Sequence, residues 1–133
     1  MKISCIHPDS VRASRAPQVG TYEAFHIKVT NDEEVTHRDT VIYLNPVGPE
    51  VWYIRGWTPR VTMYENPGGG LLFMTGEIRP GQSFTLSVEL MPPPISETRA
   101  VPIEVYFKSS EGPWKPFYKG KIMVQGHRRA TRA

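Results

Sequence analysis

Apolar and polar side chains alternate strictly along three segments of the chain. Apolar residues occupy every second position in Phe25–Val29, in Phe84–Leu90 and in Val101–Phe107. A period of two places the apolar side chains on one face of an extended strand and the polar side chains on the other face. Strands with one wet face are typical of antiparallel sheets, so we expect each segment to turn its apolar face toward a core.

Six further segments have the composition of short strands, and turn-forming sequences separate them. The separators NDEE, NPVGP, NPGGG, RPGQ, MPPP and SSEGP are rich in residues that favour turns. We find no helical stripe of useful length. The pattern therefore predicts an all-β protein, an antiparallel immunoglobulin-like β-sandwich of seven to nine strands. The six segments are Lys2–Ile6, Asp39–Leu44, Val51–Arg55, Val61–Tyr64, Leu71–Thr75 and Phe117–Gln125.

The most specific local sequence is the tight turn at Arg79–Gln82. Pro80 presets its own φ angle, and Gly81 suits the position that requires a positive φ. We expect Ile78 to enter the core before the turn and Phe84 to enter it afterwards.

Three motifs together resemble a family of domains. They are F-x-I-x-V-T-N at residues 25–31, I-x-P-G-Q-S-F-T-L-x-V at residues 78–88, and V-x-I-x-V at residues 101–105. The set resembles the immunoglobulin-like modules of bacterial and archaeal surface proteins, such as the CARDB-like and NPCBM-associated domains. Sandwiches of the major-sperm-protein type satisfy the same packing positions. The resemblance covers residues 20–125 and implies a non-catalytic interaction or spacer module of a surface or envelope protein, by analogy of fold.

Length and charge predict one folded domain with a basic tail. A chain of 133 residues suffices for one two-layer core, which we assign to residues 1–126, with the tail at residues 127–133. The net charge is +3, and the tail holds Arg128, Arg129 and Arg132 with no acid. Without these three, thirteen basic residues balance thirteen acidic ones. Because a nucleic-acid interface needs clustered cations on a folded surface, we do not expect a nucleic-acid partner.

We find neither a predicted membrane span nor a predicted signal peptide in the sequence. Its one cysteine, Cys5, cannot form an internal disulfide. No apolar run reaches the length of a membrane span, and the N-terminus lacks the apolar stretch of a signal peptide. Two locations are consistent with this. The chain is an extracytoplasmic or cell-surface domain, with any membrane anchor outside it, or it is cytoplasmic if it is complete.

The segment VWYIRGWTP at residues 51–59 concentrates aromatic side chains. In a strand, Trp52 and Ile54 share one face, and we predict that this face packs in the core. Exposed rings suit sugar rings, and arginines suit hydroxyls or carboxylates. The predicted partner is therefore a protein or a polysaccharide, and a carbohydrate-binding module using aromatics around residues 52–64 is the alternative. Open sheet edges would also allow a homodimer. The candidate binding residues are Tyr53, Arg55, Trp57, Arg60 and Trp114.

Catalytic and metal-binding patterns are not evident in the sequence. The four histidines are scattered without ligand spacing, and Cys5 with His7 offers two ligands at most. The acidic turn Asn31–Glu34, with Asp39, leaves calcium binding open. We find no nucleophile elbow or phosphate loop, so we predict no enzymatic activity, no cofactor and no metal. A serine–histidine–acid set assembled from distant residues stays an alternative.

Overall fold

The computed structural model describes residues 1–16, 19–46, 52–66, 69–110 and 112–126. The predicted basic tail and Val51 lie outside these described residues. Ten strands form within them: β1 (Lys2–Ile6), β2 (Ser10–Arg12), β3 (Glu23–Thr30), β4 (His37–Pro46), β5 (Tyr53–Trp57), β6 (Thr62–Glu65), β7 (Leu71–Ile78), β8 (Ser83–Met91), β9 (Arg99–Lys108) and β10 (Lys115–Gln125).

The strands form two sheets. One has four strands in the order β1-β3-β8-β5, and the other has six in the order β2-β10-β9-β4-β7-β6. Adjacent strands are antiparallel, except that β2 runs parallel to β10. The sequence predicted seven to nine strands, and β2 is a strand that it did not predict. Three residues are too few to show an alternating pattern.

The two sheets enclose one apolar core. The inward-facing apolar residues of β3 are fully buried. Those of β8, in the same sheet, and those of β9, in the other sheet, belong to the same core cluster. Ile78 is buried before the tight turn, and Phe84 packs against the core after it. The predicted all-β sandwich is therefore confirmed. The burial of apolar area between the sheets is the main force that holds them together.

Asn31, which follows β3, is a fully buried polar residue. Its side-chain Nδ2 donates to the carbonyl of Val35 at 2.8 Å and to that of Ile78 at 2.9 Å. Its Oδ1 accepts from the backbone N–H of Glu33 at 3.0 Å. Burying an amide is favourable only when its hydrogen bonds are made, and here both amide protons and the oxygen have partners.

The backbone of Asn31 extends the same network to the turn between β7 and β8. Its N–H donates to the carbonyl of Gln82 at 2.9 Å, and its carbonyl accepts from the N–H of Gly81 at 2.8 Å. Gly81 has a φ of 79°, as the turn prediction required. The two motifs V-T-N and I-x-P-G-Q therefore form a single hydrogen-bonded unit, which we call the Asn31 clamp.

The thiol of Cys5 is expected to be unreactive in the folded protein. Cys5 is paired with Ile27 across β1 and β3 and packs against the core, and burial raises the pKa of the thiol to about 12. Since the thiolate is the nucleophile, iodoacetamide at about pH 8 should modify the native protein roughly a thousandfold more slowly than free cysteine. Mass spectrometry measures the extent of alkylation over time.

The same protein unfolded in guanidinium is the control, and it should be alkylated fully. Rapid modification of native Cys5 would contradict the burial of the inner face of β1.

Candidate functional site

The outer face of the six-stranded sheet carries a row of large side chains. Tyr43 on β4 is paired with Tyr106 on β9 and with Leu72 on β7, and Leu72 is paired with Tyr64 on β6. Both chain neighbours of Tyr43 are fully buried, so alternation turns Tyr43 away from the core. The four side chains therefore form one row across four adjacent strands.

Trp114, in the connection between β9 and β10, packs on this row. Its ring meets Tyr43 nearly edge-on, with centroids 6.1 Å apart and planes at 61°. The rings of Tyr43 and Tyr106 are 5.7 Å apart and tilted by 58°. Trp114 remains 42% exposed, and the Nζ of Lys108 lies 5.8 Å from its ring centroid. These contacts hold the indole in place and leave much of it accessible to a ligand.

The rings border an open groove of about 420 Å³. We call this site the aromatic groove, and its lining residues are Tyr43, Asn45, Asn66, Leu72, Tyr106 and Trp114. In the part of the chain that the structure describes, no hydrogen bond engages the side-chain amides of Asn45 and Asn66 or the indole N–H of Trp114. The groove therefore combines apolar walls with polar groups free to bind a ligand, which is the usual makeup of a binding site.

The hydroxyls of the two groove tyrosines are already engaged. Tyr43 donates to the carbonyl of Gly69 at 2.7 Å, and Tyr106 donates to the carboxylate of Glu104 at 2.6 Å. The bond to Glu104 raises the pKa of Tyr106, and Glu104 also lies 3.9 Å from the Nζ of Lys119. Because both hydroxyls are tethered, ordering these rings on binding costs little further conformational entropy.

The structure separates the predicted binding residues into two groups. Tyr53, Arg55 and Trp57 lie on β5, an edge strand of the four-stranded sheet, and Arg60 lies in the turn that follows. Trp114 belongs to the aromatic groove on the six-stranded sheet. The structure therefore does not bring Trp114 together with the three residues of β5.

The residues on β5 are occupied by local contacts. Arg55 donates to Glu89 at 2.6 Å, and its guanidinium lies 4.4 Å from the ring centroid of Tyr22. Trp57 is 39% exposed, but its indole N–H donates to the carbonyl of Val61 at 2.7 Å. Each of these two polar groups already has a partner.

Trp52 behaves as the alternation of its segment predicted. Its ring packs at right angles to that of Phe25, with centroids 6.2 Å apart, against the shared core. Trp52 is partly buried, and the predicted packing of its ring on the core is confirmed.

Sequence reasoning missed most of the aromatic groove. Tyr43 and Tyr106 each occupy an outward position in an alternating strand, and that is the one indication the sequence contains. Two outward tyrosines form a site only if their strands are neighbours in the correct register. The pairing of β4 with β9 joins distant parts of the chain and is not evident from alternation.

Asn31 and Glu33 of the acidic turn have side-chain oxygens engaged within the protein. Asn31 Oδ1 accepts from Glu33, and a carboxylate oxygen of Glu33 lies 2.5 Å from His37 Nε2. Across the described ranges, no group of three or more His, Cys, Asp and Glu side chains is placed to hold a metal ion. These contacts give the turn a structural explanation.

A serine, a histidine and a glutamate are hydrogen-bonded in series near the end of β9. His37 Nδ1 lies 3.0 Å from Ser109 Oγ, and His37 Nε2 contacts Glu33, whose pKa this bond lowers. The order of groups matches that of a hydrolytic triad. Ser109 is only 5% exposed and His37 only 9%, so a substrate carbonyl cannot reach the hydroxyl. The network instead ties the start of β4 to the end of β9.

None of the described residues belongs to a helix long and apolar enough to cross a membrane.

Comparisons with known proteins identify the fold. The sequence matches no protein-family profile and no curated protein. An uncharacterized protein from Nocardia farcinica with an immunoglobulin-like fold is 16% identical, with a TM-score of 0.51, and the match covers 93% of this chain and 98% of that one. The protein is therefore an immunoglobulin-like β-sandwich, and identity this low supports the fold alone.

Two further solved structures show that proteins with similar folds have different roles. The major pilin subunit BcpA of Bacillus cereus is 8% identical with a TM-score of 0.57; the match covers 94% of this chain and 40% of the pilin. AvmM, which catalyses macrocyclization in alchivemycin A biosynthesis, is 9% identical with a TM-score of 0.61, over 98% of this chain and 93% of AvmM. Fold alone therefore does not decide between a structural role and catalysis.

Replacing Gly70 should displace Tyr43 from the groove. A Cβ atom at Gly70 would lie 2.5 Å from the hydroxyl oxygen of Tyr43, and Gly70 has a φ of 83°. We expect Gly70→Ala to move the Tyr43 ring and to cost about 1–2 kcal/mol of stability from backbone strain. Urea unfolding measures the stability, and a crystal structure of the variant shows the ring.

Gly76→Ala is the matched control. Gly76 has a φ of 78°, and a Cβ there would meet no atom within 4 Å. Gly76→Ala should lose a similar amount of stability from backbone strain and leave the Tyr43 ring in place. An unmoved Tyr43 in Gly70→Ala would contradict the described packing.

Proposed function

We propose that this immunoglobulin-like domain is a non-catalytic interaction module that binds its ligand in the aromatic groove. The observation that carries the proposal is the set of tilted rings of Tyr43, Tyr106 and Trp114 beside side-chain donors that have no partner in the described part of the chain. Tyrosine and tryptophan are enriched among the few residues that dominate binding energy in protein interfaces.

A surface or envelope protein is the parent that we propose for this module. Two observations support it. The motifs around Asn31 and the tight turn resemble those of surface-protein modules, and the major pilin BcpA contains a domain of the same fold. In such a protein the sandwich would act as a rigid support for the groove.

A non-catalytic role is favoured by the state of the serine–histidine–glutamate set. A nucleophile must be accessible to its substrate. Ser109, which follows β9, is 5% exposed, and its neighbour His37 is also buried. The fold itself is compatible with catalysis, as AvmM shows, so the role requires a direct test.

Binding through the groove should depend on Trp114. We expect screening of the purified domain on glycan and peptide arrays to give ligands whose Kd rises at least tenfold in Trp114→Ala, about 1.4 kcal/mol. Thermal unfolding should change little, since Trp114 is 42% exposed. Isothermal titration calorimetry measures the Kd of each ligand.

Trp57→Ala is the matched control, because Trp57 is similarly exposed on the other sheet. It should leave the Kd unchanged. Ligands that lose affinity in Trp57→Ala and not in Trp114→Ala would place binding on β5 and refute the proposal. A domain that binds nothing on either array would also refute it.

A fluorophosphonate probe should not label the native protein. Ser109 is buried, and a reactive serine must be reached by the probe. Intact-mass spectrometry after incubation measures the adduct, with a serine hydrolase as the positive control. Labelling of Ser109 that disappears in His37→Ala would show a working nucleophile and overturn the non-catalytic assignment.

A further inference from the structure

The tilt of the groove rings argues against stacking on a sugar chain. A series of sugar rings stacks on aromatic faces that lie roughly in one plane. Adjacent rings in the groove are instead inclined by 58° and 61°. Rings inclined in this way form notches between them, and notches of this kind receive the compact pyrrolidine rings of proline in aromatic-lined peptide grooves.

The polar groups of the groove also match an extended peptide. Asn45, Asn66 and Trp114 offer N–H groups that have no hydrogen-bond partner in the described part of the chain. A polyproline II segment makes no internal hydrogen bonds, so its carbonyls are free to accept from such donors. The row from β9 to β6 crosses three strand spacings, about 14 Å, which a polyproline II segment of about five residues spans.

Charge around the groove favours an acidic occupant. Lys108 lies against Trp114 and forms no ion pair within the described ranges, and Lys119 and Lys121 are exposed on the same face of β10. Glu104, paired with Asn45, already accepts from Tyr106 and lies near Lys119. Within the described residues, Lys119 is paired with Glu104, while Lys108 and Lys121 have no acidic partner, and an occupant with carboxylates beside its prolines complements them.

We propose that the aromatic groove binds an extended proline-containing peptide flanked by acidic residues. This inference rests on the proposed function and names the ligand class of that site. The prolines enter the notches between the tilted rings, the amides and the indole donate to peptide carbonyls, and Lys108 pairs with a flanking carboxylate.

The test is a titration of the ¹⁵N-labelled protein with the peptide EPPPPPE. We expect saturable chemical-shift changes at Asn45, Asn66 and the indole of Trp114, and a Kd at least tenfold lower than for EAAAAAE, which has the same charge. Trp114→Ala should abolish these shifts. Binding of EAAAAAE equal to that of EPPPPPE would overturn the role of proline.

A charge exchange tests the acidic preference. Compared with the parent protein, Lys108→Glu should bind EPPPPPE more weakly and KPPPPPK more tightly. Lys2→Glu, on β1 of the other sheet, is the matched control and should change neither. Identical preferences in Lys108→Glu and the parent protein would overturn the acidic assignment.

The experiments distinguish a wrong ligand class from a wrong binding site. If EPPPPPE fails to bind but a glycan binds in a Trp114-dependent manner, the peptide inference is wrong and the groove remains the binding site. If no ligand depends on Trp114, both proposals fail.

Discussion

The structure depends on one buried side chain, the amide of Asn31. Asn31 follows β3 and bonds the turn before β4 to the end of β7, while its backbone bonds the turn that begins β8. Since β3 and β8 lie in one sheet and β4 and β7 in the other, the Asn31 clamp joins the two sheets at one end of the sandwich. An unpaired amide here would cost about 1–3 kcal/mol, so the arrangement is favourable only when all partners are in place.

The clamp and the apolar core together determine what the outer faces present. Once the inward stripe of β4 is in the core, Tyr43 must point to solvent, and the pairing of β4 with β9 and β7 places Tyr106 and Leu72 beside it. Hydrogen bonds to Gly69 and Glu104 then hold both tyrosines. The aromatic groove thus follows from the register of the six-stranded sheet, and a slip of one residue would bury its rings.

Alternation was enough to predict the sandwich but not the site. Phe25, Phe84 and Ile103 lie on stripes that a period of two reveals, and all three pack in or against the core. The short β2 escaped prediction because its stability comes from parallel pairing with the distant β10. Alternation within a segment predicts a strand, but it does not predict which distant segment that strand pairs with.

The same limit explains the candidate binding residues. Trp114 was recognised because an aromatic residue in a turn stands out locally. Tyr106 was not recognised, because an outward tyrosine on a strand suggests no site until Tyr43 is known to lie beside it. Arg55 and Trp57 stood out in the sequence, but their partners Glu89 and Val61 became evident only in the fold.

The most direct test of this account is hydrogen exchange of the three asparagine side-chain amides by ¹⁵N NMR. The Nδ2 protons of Asn31 should be strongly protected, because the side chain is fully buried and both protons donate to backbone carbonyls. Those of Asn45 and Asn66 should exchange at rates near those of a free amide, because they line an open groove and have no hydrogen-bond partner among the described residues. Rapid exchange at Asn31, or protection at Asn45 and Asn66 in the unliganded protein, would contradict it.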